Sequence, residues 1–339
     1  MKTQTSNNII SYIEQQNLAT VQDIIREFDL SPQIIHRHLK KLIEQGHLKK
    51  IGSAPKVVYE YVDVNSINSK SVHNDNIIEN EFVQIMATGK VEFGMIAFEN
   101  WCKSRNFEID KYIAIYHKIR DLYNVYKNNL EFIDATKKAC DTFGDEMSLK
   151  YFFYLEFSAY EIFGKSKMYN YLLYSKLNQD TKMMRDLFVQ YKLKNKITDI
   201  IKEYNIDSIC FVPPTVPRKR QFMTELKNYL NIDLNEIQVT KLKTEVVVPQ
   251  KTLTTTKDRI INSKTTFMVN KVASTTKNIL IVDDFAGTGA TINYIAQKML
   301  QKSKQFNEHK TLNIIGLAIC GTPNGVIDNS KKFEIVKEV

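Results

Sequence analysis

The first sixty residues alternate short apolar stripes at helical spacing with polar breaks. An apolar stripe over residues 9–13 predicts a first helix, and Thr20 and Ser31 are N-cap candidates for a second and a third. The stretch HLKKIGSAPKVVYEYV then predicts two strands around a Gly-Ser-Ala-Pro turn. The pattern therefore predicts an α+β domain over residues 1–63, with three helices followed by a two-stranded wing.

Residues 64–80 are rich in Ser and Asn, which is linker composition. Residues 81–167 show helical periodicity and many aromatic residues, so an α-helical middle segment is predicted. Its tyrosines are spaced by three to four residues and are interpreted as a packing stripe, and the single tryptophan is interpreted as core. These residues are Tyr112, Tyr116, Tyr123, Tyr126 and Trp101.

Residues 168–339 alternate strand and helix patterns. SICFVP, EIQVTKL, NILIVDD and LNIIGLAIC are apolar strand candidates, and amphipathic helices are predicted after the first and third. This alternation predicts an α/β domain with a parallel sheet, whose ligands bind at the carboxyl ends of the strands. The fold class predicted for the chain is multidomain, with a winged helix, a helical middle segment and this α/β domain.

Composition narrows the class of protein. Four widely spaced cysteines form no CxxC pair, so neither a zinc site nor a disulfide framework is expected. No apolar stretch has the length of a membrane span and the N-terminus lacks an apolar signal region, so a cytoplasmic protein without a membrane partner is expected. The net charge of +9 fits a polyanionic partner, either nucleic acid or a phosphorylated ligand.

The N-terminal pattern resembles the winged helix-turn-helix domains of bacterial transcription regulators. In such domains the second helix of the turn motif enters the major groove of DNA. The resemblance implies DNA contacts on that helix and at the wing, and a protein-interaction domain with an ordinary basic face is the alternative. The predicted DNA-binding residues are Gln33, His36, Arg37, Lys40, Lys41 and Lys56.

The run ILIVDDFAGTGAT, residues 279–291, ends a strand on two acids and continues as a loop of small residues. It lacks the lysine of a P-loop and the third glycine of a dinucleotide fingerprint. It resembles the loop of type I phosphoribosyltransferases that binds phosphoribosyl diphosphate (PRPP). The resemblance implies that Asp283 and Asp284 hold the ribose. It also implies that a loop cradles the 5′-phosphate, formed by Ala286, Gly287, Thr288, Gly289, Ala290 and Thr291.

A second resemblance covers roughly residues 168–320. VPPTVPRKRQ, followed by VVVPQKTLTTTKDRIINSKTTFMV, is similar to the ComF branch of this family, through Pro249, Gln250, Lys251, Arg259, Asn262 and Phe267. It implies that the stretch before Phe267 is a mobile lid. The implied diphosphate-binding residues are Pro214, Thr215, Arg218, Lys219, Arg220, Lys251 and Arg259. It also implies Mg²⁺ bridging diphosphate and ribose, with Asp283 and Asp284 as candidate metal ligands.

The chain departs from these families in two ways. A winged helix replaces the zinc finger usual in ComF proteins, and Gly287 stands where enzymatic loops commonly have threonine.

The pairing of a winged helix with a PRPP-type domain resembles the arrangement of purine-operon repressors. The first hypothesis is therefore a DNA-binding regulator that senses PRPP, or a related sugar phosphate or nucleotide. A homodimer is also predicted. The alternatives are an active Mg²⁺-dependent phosphoribosyltransferase, and a DNA-uptake or phage-defence component with a PRPP-type effector site.

Overall fold

A computed structural model describes residues 2–53, 56–62, 74–242, 248, 252–305, 311–328 and 330. The chain divides into two compact units, Met1–His73 and Asn74–Val339. No helix in these described ranges is long and apolar enough to cross a membrane.

The N-terminal unit has the predicted order of helices and a wing. Its elements are α1 (Lys2–Gln16), β1 (Leu18–Ala19), α2 (Val21–Phe28), α3 (Pro32–Glu44), β2 (Leu48–Ser53) and β3 (Lys56–Tyr61). The strands form an antiparallel sheet in the order β1-β3-β2. The two-residue strand β1 was not predicted, because it is too short to show a hydrophobic period. Helices and wing share one core of buried apolar side chains that includes Ile9, Ile13, Ile24, Ile35, Leu39, Leu42 and Leu48.

Local signals set the bounds of α2 and α3. The Thr20 hydroxyl accepts from the Asp23 amide at 3.2 Å, and the Asp23 carboxylate accepts from the Thr20 amide at 2.9 Å. This reciprocal pair is a capping box. Ser31 is the N-cap of α3 without a side-chain cap bond, and Pro32 follows it. Gly46, with φ of 78°, adopts the left-handed conformation just after α3.

The second unit contains ten α-helices and ten strands in its described part. The helices are α4 (Asn76–Glu81), α5 (Gly94–Lys103), α6 (Ile109–Asn124), α7 (Thr136–Phe143), α8 (Lys167–Asn178), α9 (Thr181–Gln190), α10 (Leu193–Glu203), α11 (Phe222–Leu230), α12 (Thr256–Thr266) and α13 (Ala290–Lys304). The strands are β4 (Val83–Ile85), β5 (Val91–Phe93), β6 (Ile133–Asp134), β7 (Tyr151–Phe157), β8 (Ser208–Phe211), β9 (Asn235–Glu236), β10 (Val239–Lys241), β11 (Phe267–Val269), β12 (Asn278–Ala286) and β13 (Asn313–Gly321).

A six-stranded sheet in the order β6-β7-β13-β12-β8-β9 organises this unit. All neighbours are parallel except β6, which runs antiparallel to β7. Successive residues of β12 enter different cores. Ile279 and Ile281 pack with α13 and the helices of the middle segment, whereas Leu280 and Val282 pack with α8 to α11. Helices therefore cover both faces, which explains why the strands read as continuous apolar runs.

The predicted helical segment 81–167 contains strands as well as helices. The strand β7 pairs with β13 inside the main sheet, and β4 pairs with β5 as a separate hairpin. Because β7 completes the sheet, the predicted division near residue 168 does not mark a unit boundary in the structure. The aromatic residues of this segment pack as expected. Buried among them are Trp101, Tyr112, Tyr116 and Tyr123.

Two further predictions need correction. The predicted strand EIQVTKL is divided between β9, which joins the main sheet, and β10, which pairs with β11. The long Thr/Lys-rich stretch was expected to be a loop, but residues 256–266 form α12. The Thr255 hydroxyl caps this helix by accepting from the Asp258 amide at 3.0 Å. Pro249, Gln250 and Lys251 lie outside the described residues.

The capping box predicts an asymmetry between two N-caps. Thr20→Ala should destabilise α2 by about 1 kcal/mol, because it leaves N-terminal amides unsatisfied. Ser31→Ala is the matched control, since Ser31 makes no side-chain cap bond, and it should change α3 far less. Native-state hydrogen exchange of the α2 and α3 amides measures both effects. Equal losses of protection in the two variants would contradict this interpretation.

Candidate functional site

The parallel sheet brings three predicted features to one edge, together with Thr322. β12 carries the two aspartates near its carboxyl end and leads into the loop 286–291, while β8 leads into the proline turn and β13 into Thr322. A cavity of about 330 Å³ lies over the loop. Its lining is formed by Asp283, Phe285, Ala286, Gly287, Thr288, Gly289, Ala290, Thr291, Ile292 and Thr322.

The loop ends as α13 begins. Gly289 is the N-cap of α13 and has φ of 85° and ψ of 4°, a left-handed conformation that glycine adopts without strain. A Cβ at this position would lie 2.7 Å from Cε1 of Phe152. The glycine therefore meets both a backbone and a packing requirement. The amino end of α13 faces a cavity lined by hydroxyls and backbone, which is the arrangement that binds phosphate in many proteins.

Residues from the middle segment support this loop from behind. The Asn293 side chain accepts from the Ser148 amide at 2.9 Å and donates to the Glu146 carbonyl at 3.1 Å. The Thr322 amide donates to the Ala286 carbonyl at 3.0 Å. The buried Lys138 donates through Nζ to the Thr322 carbonyl at 3.2 Å. These contacts hold the loop against β7, α7 and the end of β13.

A second cavity of about 240 Å³ lies beside the first and shares Asp283, Phe285 and Thr291 with it. Most of its wall is apolar, with aromatic rings from Tyr169, Phe222, Phe267 and Phe285. Its remaining lining residues are Leu172, Leu173, Lys176, Leu177, Val212, Pro213, Pro214, Thr215, Val216, Arg218, Gln221, Met223, Asp283, Asp284 and Thr291.

Opposite charges meet where the two cavities join. Lys176 of α8 forms an ion pair with Asp284, and the Asp284 amide donates to Oδ1 of Asp283 at 2.8 Å. Burial and the adjacent Asp284 carboxylate raise the pKa of Asp283 well above its ordinary value. Lys241 of β10 donates to the Thr215 hydroxyl at 3.0 Å, and burial lowers its pKa. The two acids therefore lie in a partly desolvated site beside two lysines.

The predicted diphosphate residues are only partly brought together. Pro214, Thr215 and Arg218 line the second cavity. Lys219 and Arg220 are exposed and do not line either cavity, and Arg220 lies 3.7 Å from Glu225. Both assignments remain predictions about diphosphate binding. Two predictions cannot be placed: Lys251 and the side chain of Arg259 lie outside the described part of the chain.

The predicted DNA-binding residues share one face of α3. Gln33, His36, Arg37, Lys40 and Lys41 are all exposed, and each has another member of the set three or four residues away along the helix. Lys40 lies 4.0 Å from Glu44 of the same helix. The opposite face is buried and includes His38, whose Nδ1 is 2.9 Å from the Ser6 hydroxyl. The side chain of Lys56 lies outside the described residues.

The site offers few side-chain ligands for a divalent cation. Within the described ranges, no group of three or more His, Cys, Asp or Glu side chains is arranged to hold a metal ion. Asp283 and Asp284 offer hard oxygen ligands of the type that Mg²⁺ prefers. A metal at this edge would therefore take most of its ligands from a bound phosphate compound or from water.

Two family models match the chain, one in each unit. The family model PRTase-CE matches residues 167–338, and a model described as bacterial regulatory protein, arsR family, matches residues 3–50. The chain belongs to the PRTase-CE family. No curated protein matches the sequence. The arsR-family likeness indicates DNA binding by the N-terminal unit, and the phosphoribosyltransferase-type domain indicates a site for a PRPP-related ligand.

The PRTase-CE match begins at the first residue of α8, so β7 and α7 precede it. Phe152 and Lys138, which support the loop, are therefore contributed by sequence outside the matched part. Lys176, Lys241 and Thr322 also went unpredicted. Thr322 directly follows an apolar strand, and the rule that ligands lie at carboxyl strand ends could have found it. The lysines gave no signal, since each is a lone cation in an ordinary helix or strand pattern.

The loop geometry of this PRTase-CE domain yields a prediction for Gly289. Gly289→Ala should weaken PRPP binding by about tenfold or more, since a strained φ and a clash with Phe152 together exceed roughly 1–2 kcal/mol. Gly89→Ala is the matched control, because Gly89 has φ of 84° with nothing within 4 Å of the added carbon. Calorimetric titration with PRPP measures both. Unchanged affinity in the Gly289 variant would contradict the role given to the loop.

Proposed function

We propose that this protein is a DNA-binding regulator whose PRTase-CE unit binds PRPP, or a related pentose phosphate, as a signal. One observation carries the proposal. The aspartate pair and the small-residue loop line one cleft, which the two adjoining cavities form at the carboxyl edge of the sheet. The N-terminal unit exposes a basic face on α3. The first feature suits a sugar phosphate and the second suits a DNA groove.

In this proposal each part of the ligand meets one part of the cleft. The carboxylates of Asp283 and Asp284 accept hydrogen bonds from the ribose hydroxyls. The 5′-phosphate lies over the loop 286–291, where backbone amides and the amino end of α13 favour an anion. Asp283 and Asp284 would offer carboxylate oxygens to a Mg²⁺ that enters with the ligand, and such an ion would neutralise part of the diphosphate charge.

On DNA, the residues exposed on α3 make two kinds of contact, and Arg37 takes part in both. Arg37, Lys40 and Lys41 neutralise phosphates, and Gln33 and Arg37 reach base edges. Ligand binding changes DNA affinity only as far as the ligand binds one arrangement of the protein more tightly than another. By linkage, DNA then changes ligand affinity by the same factor. The predicted homodimer and the finer likeness to ComF proteins remain part of this proposal.

A second candidate function is transfer of the phosphoribosyl group, and the second cavity favours it. Its apolar and aromatic wall adjoins the aspartates and suits a planar nitrogenous base. In that reaction the bond from C1 to diphosphate breaks and a bond from C1 to nitrogen forms. Diphosphate leaves with the electron pair, and the base loses a proton. Positioning and electrostatics would supply most of the catalysis. The phage-defence or DNA-uptake alternative shares the ligand site but has no separate observation in its favour.

The regulator proposal predicts ligand-dependent DNA binding. Duplexes selected from a random pool should bind the wild-type protein with an affinity that changes at least about fivefold when PRPP and Mg²⁺ are added, since coupling energies are typically about 1–3 kcal/mol. Fluorescence anisotropy measures this change. Release of diphosphate on addition of a base, with DNA affinity indifferent to PRPP, would instead support the transferase.

The basic face of α3 can be tested in the same assay. Arg37→Ala with Lys40→Ala should weaken DNA binding and reduce the slope of log affinity against log salt by about two, because two phosphate contacts are lost. Lys182→Ala with Arg185→Ala removes the same charge from the exposed face of α9 and serves as control. If both double variants show the same DNA affinity and the same dependence on salt, α3 does not contact the DNA.

A further inference from the structure

Two lysines outside every predicted motif lie close to the aspartate pair, one lining the second cavity and one behind its wall. Lys176 is on α8 and Lys241 is on β10, elements far apart in the chain. Both are partly buried, and the Lys176 side chain keeps 25% of its exposure. Lysine is costly to desolvate, so two partly buried lysines at one site need a reason.

Lys176 has direct access to the space beside the aspartates. Its ammonium pairs with Asp284, and its side chain lines the second cavity together with Arg218. Its flexible four-carbon stem lets the ammonium exchange one anionic partner for another within that cavity.

Lys241 lies on the side of the proline turn. Its ammonium donates to the Thr215 hydroxyl at 3.0 Å and lies 4.9 Å from the centroid of the Phe267 ring. Thr215 and Phe267 both line the second cavity. The Asp283 carboxylate interacts favourably with its charge. Lys241 itself lines neither cavity, but it lies directly behind two residues of the second cavity's wall.

The position of a pentose in the cleft gives these lysines a role. C5 and C1 lie on opposite sides of the ribose ring, with the 2′ and 3′ hydroxyls between them on one edge. A ribose held by Asp283 and Asp284, with its 5′-phosphate over the loop, therefore directs C1 towards the second cavity. The substituent on C1 then lies beside Lys176 and Arg218, with Lys241 behind Thr215.

Charge balance agrees with this placement. Two aspartates alone would repel a diphosphate, whereas Lys176, Lys241 and Arg218 place positive charge close to them. Two of the predicted diphosphate-binding residues, Lys219 and Arg220, do not line this cavity. Both are exposed, and Arg220 lies near Glu225. Cations at short range to phosphate oxygens make the strongest polar contacts in proteins.

We propose that Lys176 binds the anionic group on C1 of the pentose, exchanging Asp284 for that group when the ligand enters, and that Lys241 supports this binding from behind Thr215, through its charge and by holding the Thr215 hydroxyl. This inference rests on the proposed pentose-phosphate site. It makes the two lysines the residues that distinguish a ligand carrying a C1 diphosphate from one that lacks it.

The test compares PRPP with ribose 5-phosphate, which has the same sugar and 5′-phosphate but no C1 diphosphate. The full chain and its Lys176→Met and Lys241→Met variants are titrated calorimetrically with each compound in the presence of Mg²⁺. Each variant should lose about tenfold or more in PRPP affinity, the usual effect of one charge-assisted contact. Affinity for ribose 5-phosphate should stay within about twofold of wild type in the Lys241→Met variant. In the Lys176→Met variant it should fall much less than the affinity for PRPP, because only the counter-ion of Asp284 is lost.

Two controls keep the result interpretable. Lys182→Met removes an exposed lysine of α9 that pairs with Asp186, and it should leave both affinities unchanged. Lys176→Arg and Lys241→Arg keep the charge and should recover most of the PRPP affinity. Retained binding of ribose 5-phosphate by each methionine variant shows that the variant is folded.

The outcomes separate this inference from the proposed function. If the Lys176→Met variant loses both ligands equally, or gains affinity for both, Lys176 acts only as the counter-ion of Asp284 and the inference is overturned. If neither methionine variant loses PRPP selectively, the inference is overturned as well. If the wild-type protein binds neither compound, the proposed pentose-phosphate site itself fails, and this inference fails with it.

Discussion

The parallel pairing of β12 with β13 and β8 is the constraint on which the site depends. In a parallel sheet every strand delivers its carboxyl end to the same edge, and here that edge receives the aspartates, the small-residue loop, the proline turn and Thr322. Both faces of β12 are buried in apolar cores, so a slip that drew Asp283 inward would bury a carboxylate among apolar side chains. The positions of Asp283 and Asp284 follow from that packing.

The chemistry of the cleft rests on partial burial. Carboxylates and ammonium groups in full solvent would be screened and would attract a phosphate compound only weakly. Here Lys176 pairs with Asp284 and Lys241 lies near Asp283, in a cleft whose wall is mostly apolar. The loop side differs, since its lining has backbone and hydroxyl groups and lies at the amino end of α13. The two ends of the cleft are thus suited to different parts of one ligand.

Local signals were readable from the sequence, and long-range partners were not. Thr20, Ser31 and Pro32 marked helix starts through capping chemistry, and the run ending at Asp283 marked both a buried strand and its loop. The strand β7 was missed inside an aromatic-rich stretch, because buried strands and helix segments share the same apolar composition. Lys176 and Lys241 were missed for another reason: their role depends on which elements pack beside β12, and spacing along the chain does not carry that information. The loop assignment remains a prediction about ligand binding.

The most direct measurement is calorimetric titration of the full chain with PRPP and Mg²⁺, beside a variant in which Asp283→Asn and Asp284→Asn are combined. We expect the wild-type chain to bind one PRPP saturably and the double variant to lose this binding. The asparagines are nearly isosteric with the acids, so the loss would report the missing carboxylates and not a packing defect. Absence of binding at millimolar PRPP, or equal binding by the double variant, would contradict the pentose-phosphate site on which the whole functional account stands.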